Sequence, residues 1–412
     1  TYSMNLYIFN QIRRGSVFGV GTYIRELAIA MKRHGLNIWV INLISEKPKI
    51  QTEVVDGIEY CYFPLAIADR RKTSDQEQWG LYYRNVVYWL RLHIQDKKEL
   101  IFQLNFFESK KLAQELKIAF KCKVIAVSHF FDWGFVIYDN PKYLQYLLEK
   151  ENPNDLEQEL QTNFKIEKDY YSTVDHIICI SHYMKEMLCQ YYQIGQNKIS
   201  VVPNGLSDMN ETPSNIDIIR KKWHISIEEK IILFAGRLDE VKGVIYLIKA
   251  FREVLKYVPN CRLVMVGSGD YDKCFHECKD IYPKIVFTGL LEKQDLHKFY
   301  TIADIGVVPS LFEPFGLVAV EMMMHSLPII VTATSGLNEV VDDNCGIKMP
   351  LTILQNKVEI DPDLLAEKIV WLLDHPTIAK QIGANGRKRF LRNYSTKIFG
   401  ENMFHTYQSI EI

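Results

Sequence analysis

Short runs of apolar residues alternate with amphipathic helical patterns along almost the whole chain of 412 residues. That alternation predicts parallel sheets with helices on both faces, so the fold class is α/β. In the first half we predict strands at NLYIFN, NIWVINL, LIFQLN, KVIAVSH, HIICIS and ISVVPNG. In the second half we predict strands at IILFAGR, RLVMVG, KIVFTG, IGVVPS and LPIIVT.

A polar stretch rich in turn-forming residues divides the chain near its middle. PNGLSDMNETPSNID, from Pro203 to Asp217, has no periodic pattern, and a chain of this length exceeds what one hydrophobic core usually organises. We predict two doubly wound, Rossmann-like domains facing a cleft, at 1–205 and 227–392, with a linker at 206–226. Residues 138–165 are interpreted as a partly helical insertion over one edge of the first domain. Ligands of such sheets bind at the carboxyl ends of the strands.

Composition narrows the function classes. The formal net charge of -1 argues against nucleic-acid binding. The eight scattered cysteines fit reduced, buried thiols and a cytoplasmic protein. CFHEC, Cys274 to Cys278, is interpreted as core packing rather than a zinc site. No stretch approaches the ~20 apolar residues of a membrane span, and the amino end lacks the order of a signal peptide.

Two cations follow the strand IILFAG. Arg237 lies at the predicted strand tip and Lys242 precedes Gly243, where a helix begins. Positive side chains beside a helix amino end suit a phosphate, and a diphosphate even more. The alternative is that both cations only pair with Asp239 and Glu240 in a surface loop.

SLFEPFGLVAVEMM places two carboxylates around the start of an apolar helix. Glu313 follows the strand IGVVPS, Pro314 fits the first helical turn, and Gly316 lets a ligand approach the N–H groups of residues such as Leu317. Glu321 follows about two helical turns later, so both carboxylates can face the same side. Carboxylates accept hydrogen bonds from sugar or ribose hydroxyls. The alternative is a capping charge plus an exposed helix glutamate.

The first half offers weaker signals. Gly15, Gly19 and Gly21 precede a helix, but the next position of a dinucleotide fingerprint is Ile24, so the pattern is a poor match for NAD binding. A flexible turn beside a phosphate or sugar remains consistent with these glycines. His129, in AVSHFFDW, lies at the end of a predicted strand, and a structural and a catalytic role both stay open.

Taken together, these motifs resemble the glycosyltransferases of the GT-B fold, and within them the retaining family 4, the group 1 glycosyltransferases. The resemblance covers nearly the whole length and is strongest in the second half, and its most specific element is the pair Glu313 and Glu321, separated by seven residues. It implies an amino-terminal acceptor-binding domain, a carboxyl-terminal nucleotide-sugar-binding domain and a last helix, 393–412, that packs back onto the first domain.

By that resemblance Arg237 and Lys242 hold the diphosphate of a sugar nucleotide and stabilise it as it leaves. Glu313 contacts the donor sugar and Glu321 the ribose. His129 is similar to the family's histidine near the reacting sugar, and Ser181 to a serine near the domain hinge. The other residues implied at the donor are Gly19, Gly21, Gly267, Gly269, Thr288, Gly289, Leu290, Phe315, Gly316 and Leu317.

The implied reaction is transfer of a sugar from a nucleoside diphosphate to an acceptor hydroxyl, with retention and without a metal or cofactor; UDP is favoured by its frequency in the family. A catalytically silent sugar-nucleotide scaffold, an epimerase and a phosphorylase on the same fold are the alternatives. The acceptor stays open between glycan, peptide and lipid-linked molecules. Five lysines suggest a patch for a membrane surface, with a solvated helix face as the alternative: Lys110, Lys111, Lys117, Lys121 and Lys123.

Overall fold

A computed structural model describes residues 4–11, 19–65, 76–106, 109–210 and 216–410. The chain forms two compact units. The first comprises Thr1–Asp132, Lys150–Gly205 and Thr396–Ile412, and the second comprises Trp133–Glu149 and Leu206–Ser395. Each unit is an α/β structure built on a parallel sheet, which confirms the predicted fold class.

The strands begin and end close to the predicted apolar runs, and several further strands join them. In chain order they are β1 (Asn5–Gln11), β2 (Asn37–Ser45), β3 (Gln51–Val55), β4 (Ile58–Pro64), β5 (Leu100–Leu104), β6 (Cys122–Ser128), β7 (His176–Cys179), β8 (Ile199–Val201), β9 (Lys230–Ala235), β10 (Cys261–Val266), β11 (Ile285–Gly289), β12 (Ile305–Val308), β13 (Ile329–Thr332), β14 (Ile347–Met349), β15 (Thr352–Ile353) and β16 (Val358–Glu359).

The helices are numbered in the same way. They are α1 (Gly19–Arg33), α2 (Gln76–His93), α3 (Lys110–Ala119), α4 (Gly134–Ile137), α5 (Pro141–Glu149), α6 (Asp155–Thr173), α7 (His182–Gln190), α8 (Ile216–Lys222), α9 (Val244–Tyr257), α10 (Tyr271–Glu277), α11 (Lys293–Ile302), α12 (Leu317–Met324), α13 (Leu337–Val340), α14 (Pro362–Asp374), α15 (Pro376–Arg389) and α16 (Thr396–Ser409), with 3₁₀ turns at Gln196–Lys198 and Tyr282–Lys284 and a π-helical turn at Phe390–Tyr394.

The sheet of the first unit has the order β3-β4-β2-β1-β5-β6-β7-β8. All of its neighbours are parallel except β3 and β4, which form an antiparallel hairpin at one edge. The hairpin turns at Asp56 and Gly57, both with positive φ, as a two-residue primed turn requires. β1 is buried along its whole length, as expected for a central parallel strand that helices cover on both faces.

The last helix, α16, completes the core of the first unit by packing on α1. Phe399, Met403 and Tyr407 are at most 1% exposed and lie in one cluster with the apolar face of α1. At the start of α16 the Thr396 hydroxyl donates to the Glu26 carboxylate over 2.6 Å. Each fully buried side chain of this size contributes about 1.5–3 kcal/mol, so α16 is an integral part of the unit.

The sheet of the second unit has the order β11-β10-β9-β12-β13-β14, and all of its pairs are parallel. β9 lies between β10 and β12, so the loops that follow these three strands meet at one edge of the sheet. Cys274 and Cys278 are fully buried in the apolar core of the second unit, which confirms that these two cysteines pack in the core. Asp361 accepts from the amides of Asp363 and Leu364 and so caps α14.

The segment interpreted as an insertion, 138–165, is divided between the two units. Trp133–Glu149, which contains α4 and α5, belongs to the second unit, whereas Lys150 begins the return to the first. There α6 starts with a capping box in which Asn154 and Glu157 satisfy each other's backbone amides. In the predicted linker, 211–215 lie outside the described residues and Ile216–Lys222 form the short helix α8.

Candidate functional site

The loops that follow β9, β10 and β11 are joined by backbone hydrogen bonds. The Leu238 amide donates to Ser268 O over 2.9 Å, the Asp270 amide to Leu238 O over 2.8 Å and the Gly267 amide to Gly289 O over 3.0 Å. A Cβ on Gly267 would lie 1.8 Å from Gly236 O, at a φ of +142°. Glycine is therefore required there by the close approach of two loops, whatever ligand binds.

Lys242 and Glu313 form a half-buried ion pair at this edge of the second unit. Lys242 Nζ lies 2.6 Å from Glu313 Oε2, and the two side chains are 22% and 16% exposed. The same carboxylate oxygen accepts from the Ser310 hydroxyl over 3.1 Å. The Lys242 amide donates to Asp239 Oδ1 over 3.1 Å. The sequence alternative, in which the Lys242 ammonium pairs with Asp239 or Glu240, is not the arrangement found.

The backbone explains why residues so far apart in sequence meet. The Leu311 amide donates to Val241 O over 2.7 Å, which joins the loop after β9 to the loop after β12. Gly243 directly precedes α9 as its N-cap residue, at a φ of +69°, and a Cβ there would lie 1.9 Å from Pro309 O. Only glycine permits this contact, so Gly243 fixes the position of Lys242 relative to the segment that carries Glu313.

Arg237 makes a pair of its own. Its Nε lies 3.1 Å from Asp239 Oδ2, and its side chain is 51% exposed. The loop ion pair considered for Arg237 in the sequence is therefore present. The guanidinium also lies over the Phe135 ring, 5.7 Å from its centroid. A guanidinium on an aromatic face keeps its N–H edge available for an anion.

Phe135 comes from the segment Trp133–Glu149, and sequence reasoning did not assign it to the site. Trp133 and Phe135 both contact the Phe312 ring, with centroid distances of 5.9 and 5.6 Å. A Cβ on Gly134 would lie 2.2 Å from that ring. The aromatic run FFDWGF was the available signal. The part of this run from Trp133 to Phe135 packs around Phe312, the residue that precedes Glu313.

The start of α12 depends on Gly316, which has a φ of 105°. A Cβ there would lie 2.7 Å from Leu337 Cδ1. The Leu337 amide donates to Glu313 O over 3.1 Å. Phe315 is 3% exposed and meets Tyr394 edge to face at 5.7 Å. Phe315 and Leu317 were both predicted to offer backbone amides to a ligand. Phe315 also has a packing role, and Leu317 is the first residue of α12.

Glu321 lies inside α12 and has partners different from those of Glu313. The Tyr300 hydroxyl donates to its Oε2 over 2.7 Å, and burial raises the pKa of its carboxyl. His297 Nε2 lies 4.0 Å from the other oxygen, Oε1. Tyr300 and His297 were not among the predicted site residues.

The residues predicted to border a base lie at the end of β11. Thr288 donates its hydroxyl to Gly289 O over 2.8 Å. Gly289 has a φ of +72°, and Leu290 is 58% exposed. The Tyr271 hydroxyl donates to Gly267 O over 2.9 Å. Leu290 therefore presents exposed apolar surface, which a planar ring would remove from water on packing against it.

His129 lies in the first unit, directly after β6, and its neighbours define its state. Its Nε2 is 3.0 Å from Asn105 Oδ1, while the Asn105 amide nitrogen donates to Phe9 O over 2.9 Å. Asn105 therefore accepts from His129, so the proton is on Nε2 and Nδ1 is an acceptor. Burial lowers the pKa of His129 to about 3. Tyr23 meets the imidazole edge to face at 4.7 Å.

The glycine loop is described only in part. The prediction that Gly19 and Gly21 precede a helix is wrong, because they are the first and third residues of α1; Gly15 lies outside the described residues. Ser181, predicted to end a strand, is fully buried, and its hydroxyl accepts from the Met184 amide at the start of α7. Its observed contact is that of a helix cap.

Two family models match the chain one after the other. Residues 17–208 match a model described as Glycosyltransferase Family 4, and residues 215–389 match one described as Glycosyl transferases group 1. The chain belongs to the group 1 glycosyltransferases. The predicted family is therefore confirmed, with both halves of the chain matched.

Curated relatives of this group 1 glycosyltransferase match part of it. A glycosyltransferase of Methanocaldococcus jannaschii is 35% identical over 42% of this chain and 46% of its own length. Trehalose synthase of Pyrococcus horikoshii is 26% identical over 49% of this chain and 50% of its own length. A GDP-mannose-dependent mannosyltransferase of Corynebacterium glutamicum is 30% identical over 48% of this chain and 52% of its own length. The matches span about half the length of these relatives.

Solved structures resemble the group 1 glycosyltransferase over its full length. Sucrose-phosphate synthase from Thermosynechococcus elongatus has a TM-score of 0.76 at 21% identity, with 98% of each chain covered. HepE from Anabaena in complex with UDP has a TM-score of 0.73 at 16% identity, with 99% of this chain and 100% of that chain covered. These likenesses confirm the GT-B fold with two Rossmann-like domains.

The described part of the chain was expected to hold neither a membrane span nor a metal site. Within it, no helix combines the length and the apolar character that crossing a membrane requires. Within the same residues, no group of three or more His, Cys, Asp or Glu side chains is arranged to hold a metal ion. The eight cysteines all lie within the described residues, and none of them forms a disulfide there.

Proposed function

We propose that this protein transfers a sugar from a nucleoside diphosphate, with UDP favoured, to an acceptor hydroxyl, with retention of anomeric configuration and without a metal ion. The observation that carries the proposal is the 2.6 Å pair between Lys242 and Glu313 beside the amino end of α12. A cation, a carboxylate and a helix start are what a ligand with both phosphates and hydroxyls requires.

Lys242 and Arg237 would stabilise the departing diphosphate. An ammonium has three N–H donors, so Lys242 can keep its bond to Glu313 while it donates to a phosphate oxygen. Arg237, which rests on Phe135, would contribute a second positive charge. The amino end of α12 adds backbone N–H groups and the favourable end of the helix dipole. These groups act on the charge that develops on the leaving group, which is where stabilisation increases the rate.

Glu313 would hold hydroxyls of the donor sugar, and Glu321 those of the ribose. Gly267 and Gly269, which bridge to the end of β11 and to the loop after β9 respectively, would line the nucleotide pocket, and Leu290 would contact the base. His129 would act as a neutral imidazole near the reacting sugar, because its low pKa keeps it uncharged at neutral pH. The acceptor would be a glycan, a peptide or a lipid-linked hydroxyl. Reduced thiols fit a cytoplasmic enzyme.

The comparisons support a nucleotide-sugar donor. One relative is named as GDP-mannose-dependent, and HepE, a protein of the same fold, is described in complexes with UDP and with UDP-glucose. The nucleotides in these two names, GDP and UDP, have different bases. The base of the donor is therefore the part of the proposal that experiment must decide first.

The test is a thermal-shift screen of the full chain against UDP, GDP and ADP. A ligand at 100 times its Kd stabilises the folded state by about 2.7 kcal/mol, so one nucleotide should raise Tm by several degrees and the others much less. Donor turnover is then measured with UDP-glucose, UDP-N-acetylglucosamine and GDP-mannose, with and without EDTA. NMR of the product gives its anomeric configuration.

Each possible result of these measurements decides one part of the proposal. Failure of all three nucleotides to shift Tm refutes a nucleotide-sugar enzyme. Binding without turnover of any donor supports the silent scaffold. Loss of all activity in EDTA contradicts metal independence, and an inverted product contradicts retention.

A further inference from the structure

Glu321 lies on the side of α12 that faces α11, and it accepts a hydrogen bond from a residue of α11. The Tyr300 hydroxyl donates to Glu321 Oε2 over 2.7 Å, and Tyr300 is only 1% exposed. Burial and the charge of Glu321 both raise the pKa of Tyr300. The phenol therefore keeps its proton and acts as the donor, and this contact leaves the lone pairs of Oε1 unused.

A pair of buried histidines lies next to the other oxygen. His297 Nδ1 is 2.7 Å from His325 Nε2, and burial lowers the pKa values of the two rings to about 3 and about 4. Both are neutral at pH 7, so one N–H lies between them. If His325 donates it, the proton of His297 is on Nε2, the atom 4.0 Å from Glu321 Oε1.

That tautomer is the electrostatically favoured one, because it directs an N–H dipole at a carboxylate. The distance is too long for a hydrogen bond, and among the described residues His297 Nε2 is a buried atom without a hydrogen-bond partner. The histidines thus add a favourable field, whereas Tyr300 provides the contact. Glu321 keeps 14% of its side chain exposed, through which a ligand can reach it.

We propose that Tyr300 is a positioning residue of the donor site: its hydroxyl fixes Glu321 Oε2, so that the carboxylate presents its remaining lone pairs to the ribose hydroxyls of a bound nucleoside diphosphate. The inference rests on the proposed function, because it takes Glu321 as the residue that holds the ribose. A glutamate side chain has three rotatable bonds, and a hydrogen bond at its tip removes most of that freedom before the ligand arrives.

The same hydroxyl affects whether Glu321 is ionised. Burial raises its pKa, while the bond from Tyr300 and the charge of Lys293 oppose the rise. The facing groups on α11 are Tyr300, His297 and Lys293, and His325 follows α12. The ionised carboxylate is the stronger acceptor of hydroxyl hydrogen bonds, so ribose affinity falls as pH falls through the pKa of Glu321. Removing the Tyr300 hydroxyl raises that pKa further and moves the loss to higher pH.

The experiment compares Tyr300→Phe with wild type in the full chain. The variant deletes one oxygen and keeps the ring, and far-UV circular dichroism with Tm verifies folding. Tyr257→Phe is the matched control, because Tyr257 is 74% exposed at the end of α9. The probes for calorimetric titration are UDP and 2′,3′-dideoxy-UDP, which lacks both ribose hydroxyls. The GDP and ADP pairs replace them if those bases bind.

We expect wild type and the control to bind UDP at least tenfold more tightly than the dideoxy probe. In Tyr300→Phe, the Kd for UDP should rise about tenfold while the Kd for the dideoxy probe stays within twofold. As the pH is lowered, the affinity for UDP should also begin to fall at a higher pH in the variant than in wild type. In a Glu321→Gln background, Tyr300→Phe should change UDP affinity by less than twofold, because it acts through the carboxylate.

Unchanged UDP affinity in Tyr300→Phe overturns the inference. So does an equal loss for both probes, which is the mark of a merely structural role. If the variant does not fold, His297→Leu tests the same arrangement: it should weaken UDP about threefold and spare the dideoxy probe, and an equal effect on both overturns the inference. A wild type that binds none of the nucleotides refutes the proposed function itself, which is a distinguishable result.

Discussion

Replacing Lys242 by alanine removes the cation that the structure places in contact with Glu313. In the wild type Nζ lies 2.6 Å from Glu313 Oε2, and the two side chains are 22% and 16% exposed. The variant leaves the carboxylate with the Ser310 hydroxyl and with a gap where the lysine side chain lay. The same change removes a positive charge from the place where the diphosphate would leave.

The stability cost follows from burial. Breaking a fully buried pair costs about 3–5 kcal/mol and an exposed pair about 0–1 kcal/mol, so a half-buried pair should cost about 2 kcal/mol. For a unit of roughly 200 residues that lowers Tm by about 4–8 °C, and the variant stays folded at 25 °C. Loss of one preorganised donor to a developing anion costs about 3–4 kcal/mol, or about 10²–10³ in kcat.

The assay is steady-state donor turnover at 25 °C together with calorimetric titration of UDP. The matched control is Lys256→Ala, since Lys256 forms an exposed pair with Glu253 on α9. The control should turn over at the wild-type rate, and Lys242→Ala should lose at least 100-fold in kcat with a smaller change in nucleotide affinity. A folded Lys242→Ala protein with kcat within threefold of wild type would refute the assignment of Lys242 to the leaving group.

Three further predictions concern single residues. Gly316→Ala should lower Tm, with a loss of about 1–3 kcal/mol, because a Cβ meets Leu337 at 2.7 Å and φ is +105°. Gly80→Ala, a helical site with nothing within 4 Å of the new Cβ, should instead raise Tm slightly, and equal shifts would contradict the argument. Phe135→Leu should weaken UDP binding about threefold in calorimetry, because an exposed cation–π contact contributes about 0.5–1 kcal/mol; Val136→Ala, at an exposed neighbouring position, should not. Glu167 is fully buried, accepts from the Asp132 amide over 2.9 Å and has a pKa that burial raises to about 8. The folded chain therefore retains a proton that the unfolded chain releases near pH 4.5, and stability falls as pH rises from there to about 8. Glu167→Gln should remove that decline, with a Tm above wild type at pH 8 and an advantage that shrinks towards pH 5; an advantage independent of pH would contradict it.

The sequence predicted most of the fold because its strands are buried on both faces and stand out as apolar runs. The hairpin of β3 and β4 lacks that signal. Four of the five residues of β3 are exposed, so it has no apolar run, and only the Asp56-Gly57 turn indicates it. The helix α8 was missed for a different reason: it has only 7 residues, too few for a helical period to stand out, and none of them is buried.

Some residues of the candidate site could likewise be predicted from the sequence, and others could not. Lys242 and Glu313 each follow a predicted strand, so their position at one edge of the sheet could be argued before the structure was known. Their contact additionally requires that β9 and β12 are neighbours. Tyr300 sits in an ordinary amphipathic helix pattern. Nothing in its local sequence indicates that α11 faces α12, so its bond to Glu321 could not be predicted.

Trp133–Glu149 has a consequence for how such chains can be recombined. A gene encoding only 206–395 would produce the second unit without the ring beneath Arg237, without two of the aromatic neighbours of Phe312, and without Asp139, whose carboxylate accepts from the Ser335 amide. A chimaera spliced at 205 would acquire those side chains from whichever parent supplied its amino-terminal half. Swapping halves between homologues therefore exchanges part of the wall around Arg237 as well.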